Sequence, residues 1–387
     1  MPGYEVFGDE ELAEVQDVFS NGGVLFRQGF EGLRNNCYKV RDFEKAFAGQ
    51  MGVNHALAVT SGTAALRVAL AALNIGAGDE VITQSFTFVA TVEAIIEAGA
   101  TPVCADVDTT LNLNPDDLLR RLTPRTKAVI VVHMLGTPAR LPEICEICEN
   151  HKLLLIEDTA WGCGGSLKGK PLGTWGDVGT FSFDFAKTIT TGEGGMVLSR
   201  DESVHKRAAA WHDHGHENNP AVPRFEDTRS GSGFNYRMTE LQGAVGLAQL
   251  RKLPSVVKAQ RHNKDQLWRS IADVPGIEAR TVPHSSHETA DALVFYVESK
   301  AVAKRCRDEL VKVGLSTKIL PEAYAWHFAG TWNHMPTLAA RHGGDLMGAF
   351  RRSHDILSRA VSLPVGVKLA DEEPSRVRTA LQKALYA

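Results

Sequence analysis

The sequence predicts an α/β fold with a mainly parallel sheet, on three observations. Short, continuously apolar runs recur through the first half of the chain. A helical pattern of about ten residues or more separates most of them. Glycines and polar residues punctuate the joins. Strands buried on both faces read as unbroken apolar runs, and parallel neighbours need a crossover of helical length.

The elements follow in order. HALAVT (55–60) leads through Ser61-Gly62 into the helical TAALRVALAALNI, which stops at Gly76. DEVITQ (79–84) precedes the helix FVATVEAIIEAGA, and TPVCADV (101–107) precedes the helical NPDDLLRRLT. KAVIVVHML (127–135) is followed by the helix LPEICEICENHK, and KLLLIED (152–158) ends on two carboxylates. VGTFSF (178–183) and GGMVLS (194–199) complete the series. They lie too close for a helical crossover, so an irregular connection is expected between them. From about Asn235 a long helix, NYRMTELQGAVGLAQLRKL, runs to Pro254 and resumes as SVVKAQRHNKDQLWRSIADV. The boundary between a large unit (1–255) and a smaller α+β unit (256–387) is therefore expected near residue 255. In the smaller unit ALVFYVES reads as a strand and AVAKRCRDELVKVGL as a helix. The helix starting near Asp9 is free to pack on either unit.

Bulk composition narrows the function. A chain of 387 residues suggests two domains, or three. The net charge of -4 argues against a nucleic-acid binder. No apolar run is long enough to span a bilayer. The acidic N-terminus lacks the apolar core of a secretory signal. Six cysteines scattered over this length make no disulfide framework, and a cytoplasmic location is expected. Cys145 and Cys148 form a CxxC, but no second ligand pair follows at zinc spacing. They read as small apolar residues on a helix face, and no metal is expected.

Ligands of a parallel α/β sheet bind at the carboxyl ends of its strands. Three features fall there. Ser61-Gly62-Thr63-Ala64 joins a strand to a helix, where free N–H groups and the helix dipole favour an anion; by itself, with no GxGxxG, it reads rather as a simple turn and cap. Asp158 ends the run LLLIED, where a carboxylate needs a cation or hydrogen-bond donor; an N-cap role is the alternative. Lys187 stands in FSFDFAKTITTGEGG, between an aromatic segment and a glycine-rich turn. A lysine amine forms Schiff bases with carbonyls, including the aldehyde of pyridoxal 5′-phosphate (PLP). PLP requires that lysine, a carboxylate for the ring nitrogen, a phosphate cradle and a flat apolar wall. Lys187, Asp158, the 61–64 turn and the aromatics of SFTFVAT (85–91) supply one each.

These residues, with SGTAALRVALAALNIGAGDEV, IEDTAWGCGGSLKGKPLGTWGDVGTFSF, KTITTGEGG, GFNYRMTELQGAVGLAQL and SLPV, make the chain resemble the DegT/StrS family of PLP-dependent sugar aminotransferases over nearly its whole length. The resemblance implies the fold type I PLP-transferase architecture and a cofactor that alternates between PLP and its aminated form, PMP. It implies that Lys187 bonds to the cofactor aldehyde and shuttles a proton, and that Asp158 pairs with the ring nitrogen. Phe88 would stack on the ring. Gly62, Thr63, Ala64 and Ser182 would hold the phosphate. Gly192, Gly194 and Gly195 would let the chain pass close to the cofactor. Asn235 matches the position that reaches the neighbouring subunit's cofactor, which implies a homodimer.

Two departures bear on the site. The family usually reads EDAAQ where this chain reads EDTAW, so Trp161 replaces a glutamine near the ring hydroxyl. Trp offers one N–H donor, no acceptor and far more bulk. In some relatives a histidine replaces the lysine and the activity is dehydration; Lys187 is present here, which points to transamination. The opening MPGYEVFGDEE, WHDHGHENN (211–219) and YAWHFAGTWNHM (324–335) also resemble an 8-amino-3,8-dideoxy-octulosonate transaminase branch.

Further substrate-side candidates are His214, His216, Arg237 and His327. His214 and His216 belong to an alternating HxHxH, for which an entrance role is expected rather than a metal. Arg237 offers a planar fork to a carboxylate, or serves as a structural ion pair. His327 beside Trp326 reads as a substrate contact or a packed aromatic pair. The function expected is transfer of an amino group, with glutamate as donor, to a keto or aldehyde sugar-like acceptor in sugar or natural-product biosynthesis. The alternatives are lyase-type chemistry on the same scaffold and a PLP-binding regulatory protein.

Overall fold

In the computed structural model, which describes residues 1–219 and 221–386, the apolar runs become strands. They are β1 (His55–Val59), β2 (Glu80–Gln84), β3 (Thr101–Ala105), β4 (Thr126–Val132) and β5 (Leu154–Asp158). A short flap, β6 (Ser166–Leu167) and β7 (Lys170–Pro171), precedes β8 (Val178–Ser182) and β9 (Gly195–Ser199). β10 (Glu278–Ala279), β11 (Ser286–His287), β12 (Ala292–Tyr296) and β13 (Ala360–Pro364) follow. Seven strands form one sheet, in the order β1-β9-β8-β5-β4-β2-β3. The pairs from β3 to β8 are parallel. β9 is antiparallel to both β1 and β8. An antiparallel neighbour needs no crossover helix, so residues 183–194 connect β8 to β9 as an irregular loop.

The helix Gly62–Ala72 shows how sequence sets an element here. Ser61 caps it, its Oγ accepting from Ala64 N at 3.0 Å. Its alanines and leucines lose little side-chain freedom on helix formation. Its apolar face packs on one side of the sheet with Leu57, Val81, Ile130 and Val197. On the opposite face Ile82, Val103, Val129 and Val131 meet the helix Leu141–His151, which contains Cys145 and Cys148. Both faces are thus covered, as the unbroken apolar strands require.

The pause read at Pro254 is absent. One helix runs unbroken over Glu240–Ile271 with Pro254 inside it. A proline in a helix interior removes a hydrogen bond and costs about 3 kcal/mol. Pro254 itself lies on the exposed side of the helix. Packing on both halves offsets the cost: the helices Asp9–Ser20 and Lys39–Met51 cover the first half, and Glu373–Tyr386 with β12 covers the second. Residue 255 therefore sits in mid-helix, with no linker at that point.

β12 pairs antiparallel with both β10 and β13. The helix Lys300–Lys312 lies against this smaller sheet in a separate apolar cluster. The N-terminal segment touches both parts of the chain. Gly3 N donates to Lys187 O at 3.2 Å, while Glu5 Oε2 accepts from Val367 N and Lys368 N. No helix among the described residues is long and apolar enough to cross a membrane.

Candidate active site

A cavity of about 390 Å³ opens at the carboxyl ends of the parallel strands. Each wall comes from a different strand end. Ser61, Gly62 and Thr63 follow β1; Thr87, Phe88 and Thr91 follow β2. Asp158 and Trp161 come from the end of β5, Ser182 and Lys187 from the end of β8, and His327 from a distant segment. That segment is stitched to β2 by Thr87 N donating to His327 O at 2.9 Å.

Strand alternation separates the two carboxylates of β5. Glu157 points away from the cavity. It accepts N–H groups from Gly173 (2.8 Å), Trp175 (2.5 Å) and Gly176 (2.9 Å) and pairs with His133 at 3.1 Å. Asp158 points into the cavity and is 6% exposed. Its Oδ2 accepts from Thr91 Oγ1 at 2.9 Å and its Oδ1 from Ala160 N at 3.2 Å. Burial pushes its pKa up; these bonds and the charges of Lys187 and His133 oppose that rise.

The turn after β1 abuts the end of β8. A side-chain carbon on Gly62 would lie 2.7 Å from Ser182 Cβ. Only glycine permits this approach, which puts the Ser182 hydroxyl beside the start of the helix. The first N–H groups of a helix lack intrahelical partners, so Gly62, Thr63 and Ser182 together form a cradle for an anion. Ala64 lies beneath it, buried, with its N–H engaged by Ser61.

Lys187 stands in the loop between β8 and β9. Asp184 shapes that loop, its carbonyl accepting from Lys187 N at 3.0 Å and its carboxylate from Ala186 N at 3.0 Å. Lys187 Nζ lies 3.6 Å from the centroid of the Trp161 ring. The residue keeps some accessibility through the cavity, yet protein surrounds the amine deeply enough for desolvation to dominate. Burial lowers its pKa; Asp291, Asp184 and Asp158 oppose the change, and Lys318 adds to it. The glycines beside it serve a different contact from the one expected. A side-chain carbon on Gly195 would collide with the carbonyl of Ser61, and one on Gly194 with Thr191 Oγ1. Neither glycine lines the cavity; Gly195 lets the start of β9 close against the β1 turn, and Gly194 leaves room for Thr191 inside the loop.

Phe88 lines the cavity and is 41% exposed. Its ring centroid is 5.5 Å from that of His327. His327 Nδ1 sits 3.0 Å from the carbonyl of Ala323. Nδ1 therefore carries the proton that it donates there, which leaves Nε2 an acceptor. Burial pushes the His327 pKa down.

The other expected residues do not reach this cavity. His214 is exposed, and His216 Nδ1 lies 3.2 Å from Asp227. His212 points inward with Nδ1 on the carbonyl of Ala209 at 2.5 Å. The three histidines of HxHxH thus diverge, because adjacent turns aim them differently. Arg237 is engaged by Asp213, which also pairs with Arg224. Burial works against ionisation of Asp213, but Arg224 and Arg237 hold its pKa at about 2. Asn235 is exposed, its Oδ1 accepting from Arg237 N at 3.3 Å. Among the described residues no group of three or more His, Cys, Asp or Glu side chains is placed to hold a metal. A shallow surface groove at Glu14, Lys39 and Lys252 holds only mutually paired charges.

The sequence reading missed Thr91, Asp184 and Glu193, which also line the cavity. Thr91 had a usable signal: it lies in the same SFTFVAT stretch as Phe88, three residues on.

Comparison with known proteins agrees with this geometry. A family model described as the DegT/DnrJ/EryC1/StrS aminotransferase family matches residues 7–382. A GDP-perosamine synthase of Caulobacter vibrioides is 43% identical over 355 residues, covering 89% of each chain. The crystal structure of an aminotransferase from Psychrobacter cryohalolentis superposes with a TM-score of 0.83 at 28% identity, over 98% of this chain and 97% of that one. A putative sugar aminotransferase of Streptococcus pneumoniae, in its PMP form, shares the fold with a TM-score of 0.84 at 22% identity, over 98% of each chain. With strand ends, cradle, carboxylate and lysine arranged in this way, the chain belongs to the DegT/DnrJ/EryC1/StrS aminotransferase family.

Proposed function

We propose that this chain binds PLP and transfers an amino group from an amino acid, glutamate foremost, to a keto or aldehyde carbon of a sugar-like acceptor. One observation carries the reading. A lysine amine with no hydrogen bond among the described residues shares a cavity with a buried carboxylate, and an anion cradle lies beside them. The residues fit the cofactor. Asp158 is costly to bury without a cation, and the ring nitrogen of PLP supplies one. Gly62, Thr63 and Ser182 suit the phosphate, and Phe88 suits one face of the ring.

Bound PLP supplies an aldehyde that condenses with amines and a ring that takes up the electron pair left by a departing proton. Lys187 would hold the cofactor through that aldehyde, and its amine, once released, would take up and give back the proton at the substrate carbon. Its lowered pKa favours the free amine this work needs. Asp158 holds the proton on the ring nitrogen. His327 presents a neutral acceptor at the mouth. Trp161 leaves the ring oxygen one N–H donor at most. The GDP-perosamine synthase relative supports a sugar acceptor. The narrower octulosonate-type acceptor rests on the sequence resemblance alone.

The test is the visible spectrum of PLP-loaded protein before and after glutamate. The expected result is conversion to PMP with one 2-oxoglutarate formed per site. Product formed from an acceptor without donor consumption would instead favour lyase-type chemistry.

We further propose a homodimer in which Asn235 reaches the neighbouring cavity. Asn235 is exposed and absent from its own chain's cavity, and its exposed neighbour Phe234 packs with the half-buried Trp211 and Tyr236. Contiguous exposed apolar surface of this kind marks interaction sites. Mixing inactive Lys187→Ala and Asn235→Ala subunits is expected to restore about a quarter of wild-type activity per site, because random exchange makes half the dimers hybrid and each hybrid has one intact site. No recovery after confirmed exchange rejects the crossing.

A further inference from the structure

Behind the cavity lies a charged pair that the proposed reaction leaves unused. The carbonyl of Trp161 accepts from Thr289 Oγ1 at 3.0 Å, which ties it to the segment holding Asp291. Two ammonium groups lie over its indole: Lys187 Nζ at 3.6 Å from the ring centroid and Lys318 Nζ at 5.0 Å. Lys318 does not line the cavity. Its Nζ is 2.5 Å from Asp291 Oδ2 and donates to the Asp291 carbonyl at 3.0 Å. Asp291 is 1% exposed, and neither carboxylate oxygen accepts a well-aligned hydrogen bond among the described residues. One indole is therefore shared by the lysine of the active site and a buried ion pair.

Resting on Lys187 as the reactive amine, we propose that Trp161 is a positioning residue whose indole face receives the Lys187 ammonium whenever that amine is free, and that the Asp291–Lys318 pair sets how firmly it is held. The face of an aromatic ring carries negative charge density and attracts a cation, more so where water is excluded. Lys187 Nζ has no other polar partner among the described residues, so the ring is its resting place. A glutamine at this position would offer a dipole and no face. Lys318 competes for the same ring, but Asp291 cancels its charge.

The charged groups around Lys187 are Asp158 from β5, Asp184 and Glu193 from its own loop, Asp291 and Lys318 from the far segments, and His327, whose burial keeps it neutral. Asp291 heads the charges that favour the ammonium. Neutralising Asp291 leaves Lys318 unopposed and expels the ammonium. Neutralising Lys318 leaves Asp291 unopposed and retains it.

The test uses full-length, cofactor-free protein. The rate at which an acetylating reagent modifies Lys187, resolved by mass spectrometry of peptides, is followed against pH. Asp291→Asn is expected to move the midpoint to lower pH and Lys318→Met to move it to higher pH. Trp161→Leu is expected to lower it by about 0.4 to 1.5 pH units, and Trp161→Phe by less. A merely structural pair would not give opposite signs. Shifts of the same sign for the Asp291 and Lys318 variants, or none in either, overturn the proposal, and neither outcome depends on whether Trp161→Leu folds. Loss of covalently held PLP in Lys187→Ala tests the underlying reading separately. If Lys187→Ala still holds PLP covalently while the opposite shifts appear, the catalytic reading falls and the electrostatic coupling stands.

Discussion

Lys187→Ala is expected to lower amino-group transfer by about 10³-fold or more and to abolish covalent retention of PLP. The size follows from two roles in one side chain. Positioned acid–base groups contribute typically 10²–10⁴-fold, and the covalent bond to the cofactor adds to that. The environment suits both roles. The amine stands in a cavity with access to substrate, while surrounding protein lowers its pKa. Borohydride reduction followed by mass spectrometry reads the bond: wild type gains the cofactor mass on the peptide containing Lys187, and the variant gains none. Single-turnover kinetics with glutamate reads the proton transfer. A small primary amine added to the variant should recover part of the rate, since it replaces the base without a tether. Retained turnover, or the cofactor mass on a different lysine, removes Lys187 from the mechanism. The variant should fold normally, because Lys187 Nζ makes no hydrogen bond among the described residues and its neighbours are held by backbone bonds from Asp184, Phe183 and Gly3.

The fold was legible because its strands are apolar on both faces and its helices are capped locally. Ser61 and Asn114 are examples of such caps. Local rules failed where tertiary packing outweighed them. Pro254 reads as a break, but contacts on both sides of it keep one helix intact. Asp158 was legible from its place at a strand end and Lys187 from the stretch around it, while Ser182 and Phe88 came from the family resemblance; all four line one cavity. The site was illegible where long-range pairing decides. Nothing local in the sequence says that Asp213 occupies Arg237, or that Asp291 and Lys318, 27 positions apart, meet behind Trp161. The glycines after Lys187 were legible as a need for close approach, but the surface approached is the Ser61 carbonyl.

Asp158→Asn should separate function from stability with opposite signs. Breaking a buried charge pair by removing one partner costs about 3–5 kcal/mol, so transfer is expected to fall by about 10²- to 10⁴-fold at tenfold per 1.36 kcal/mol. The cofactor-free protein should respond the other way. Burial raises the Asp158 pKa above its value in the unfolded chain. Between those two values the native state binds more protons than the unfolded state, so stability falls as pH rises through that window and stays low above it. Asparagine carries no charge and escapes this loss. Cofactor-free Asp158→Asn should therefore be more stable than wild type at pH 7, and the advantage should vanish below the ordinary carboxylate range. The local hydrogen bonds can adapt. The Thr91 hydroxyl, 2.8 Å from Thr87 Oγ1, can turn to donate there and accept from the new amide. Urea titrations of the cofactor-free proteins at pH 7 and near pH 4 provide the measurement. PLP should then stabilise wild type more than the variant, since only the carboxylate neutralises a protonated ring nitrogen. If the variant instead loses stability at pH 7 without cofactor, the bonds from Thr91 and Ala160 outweigh the burial cost. Asp158 would then be a structural cap on the end of β5, and the carboxylate would need no cation from a ligand.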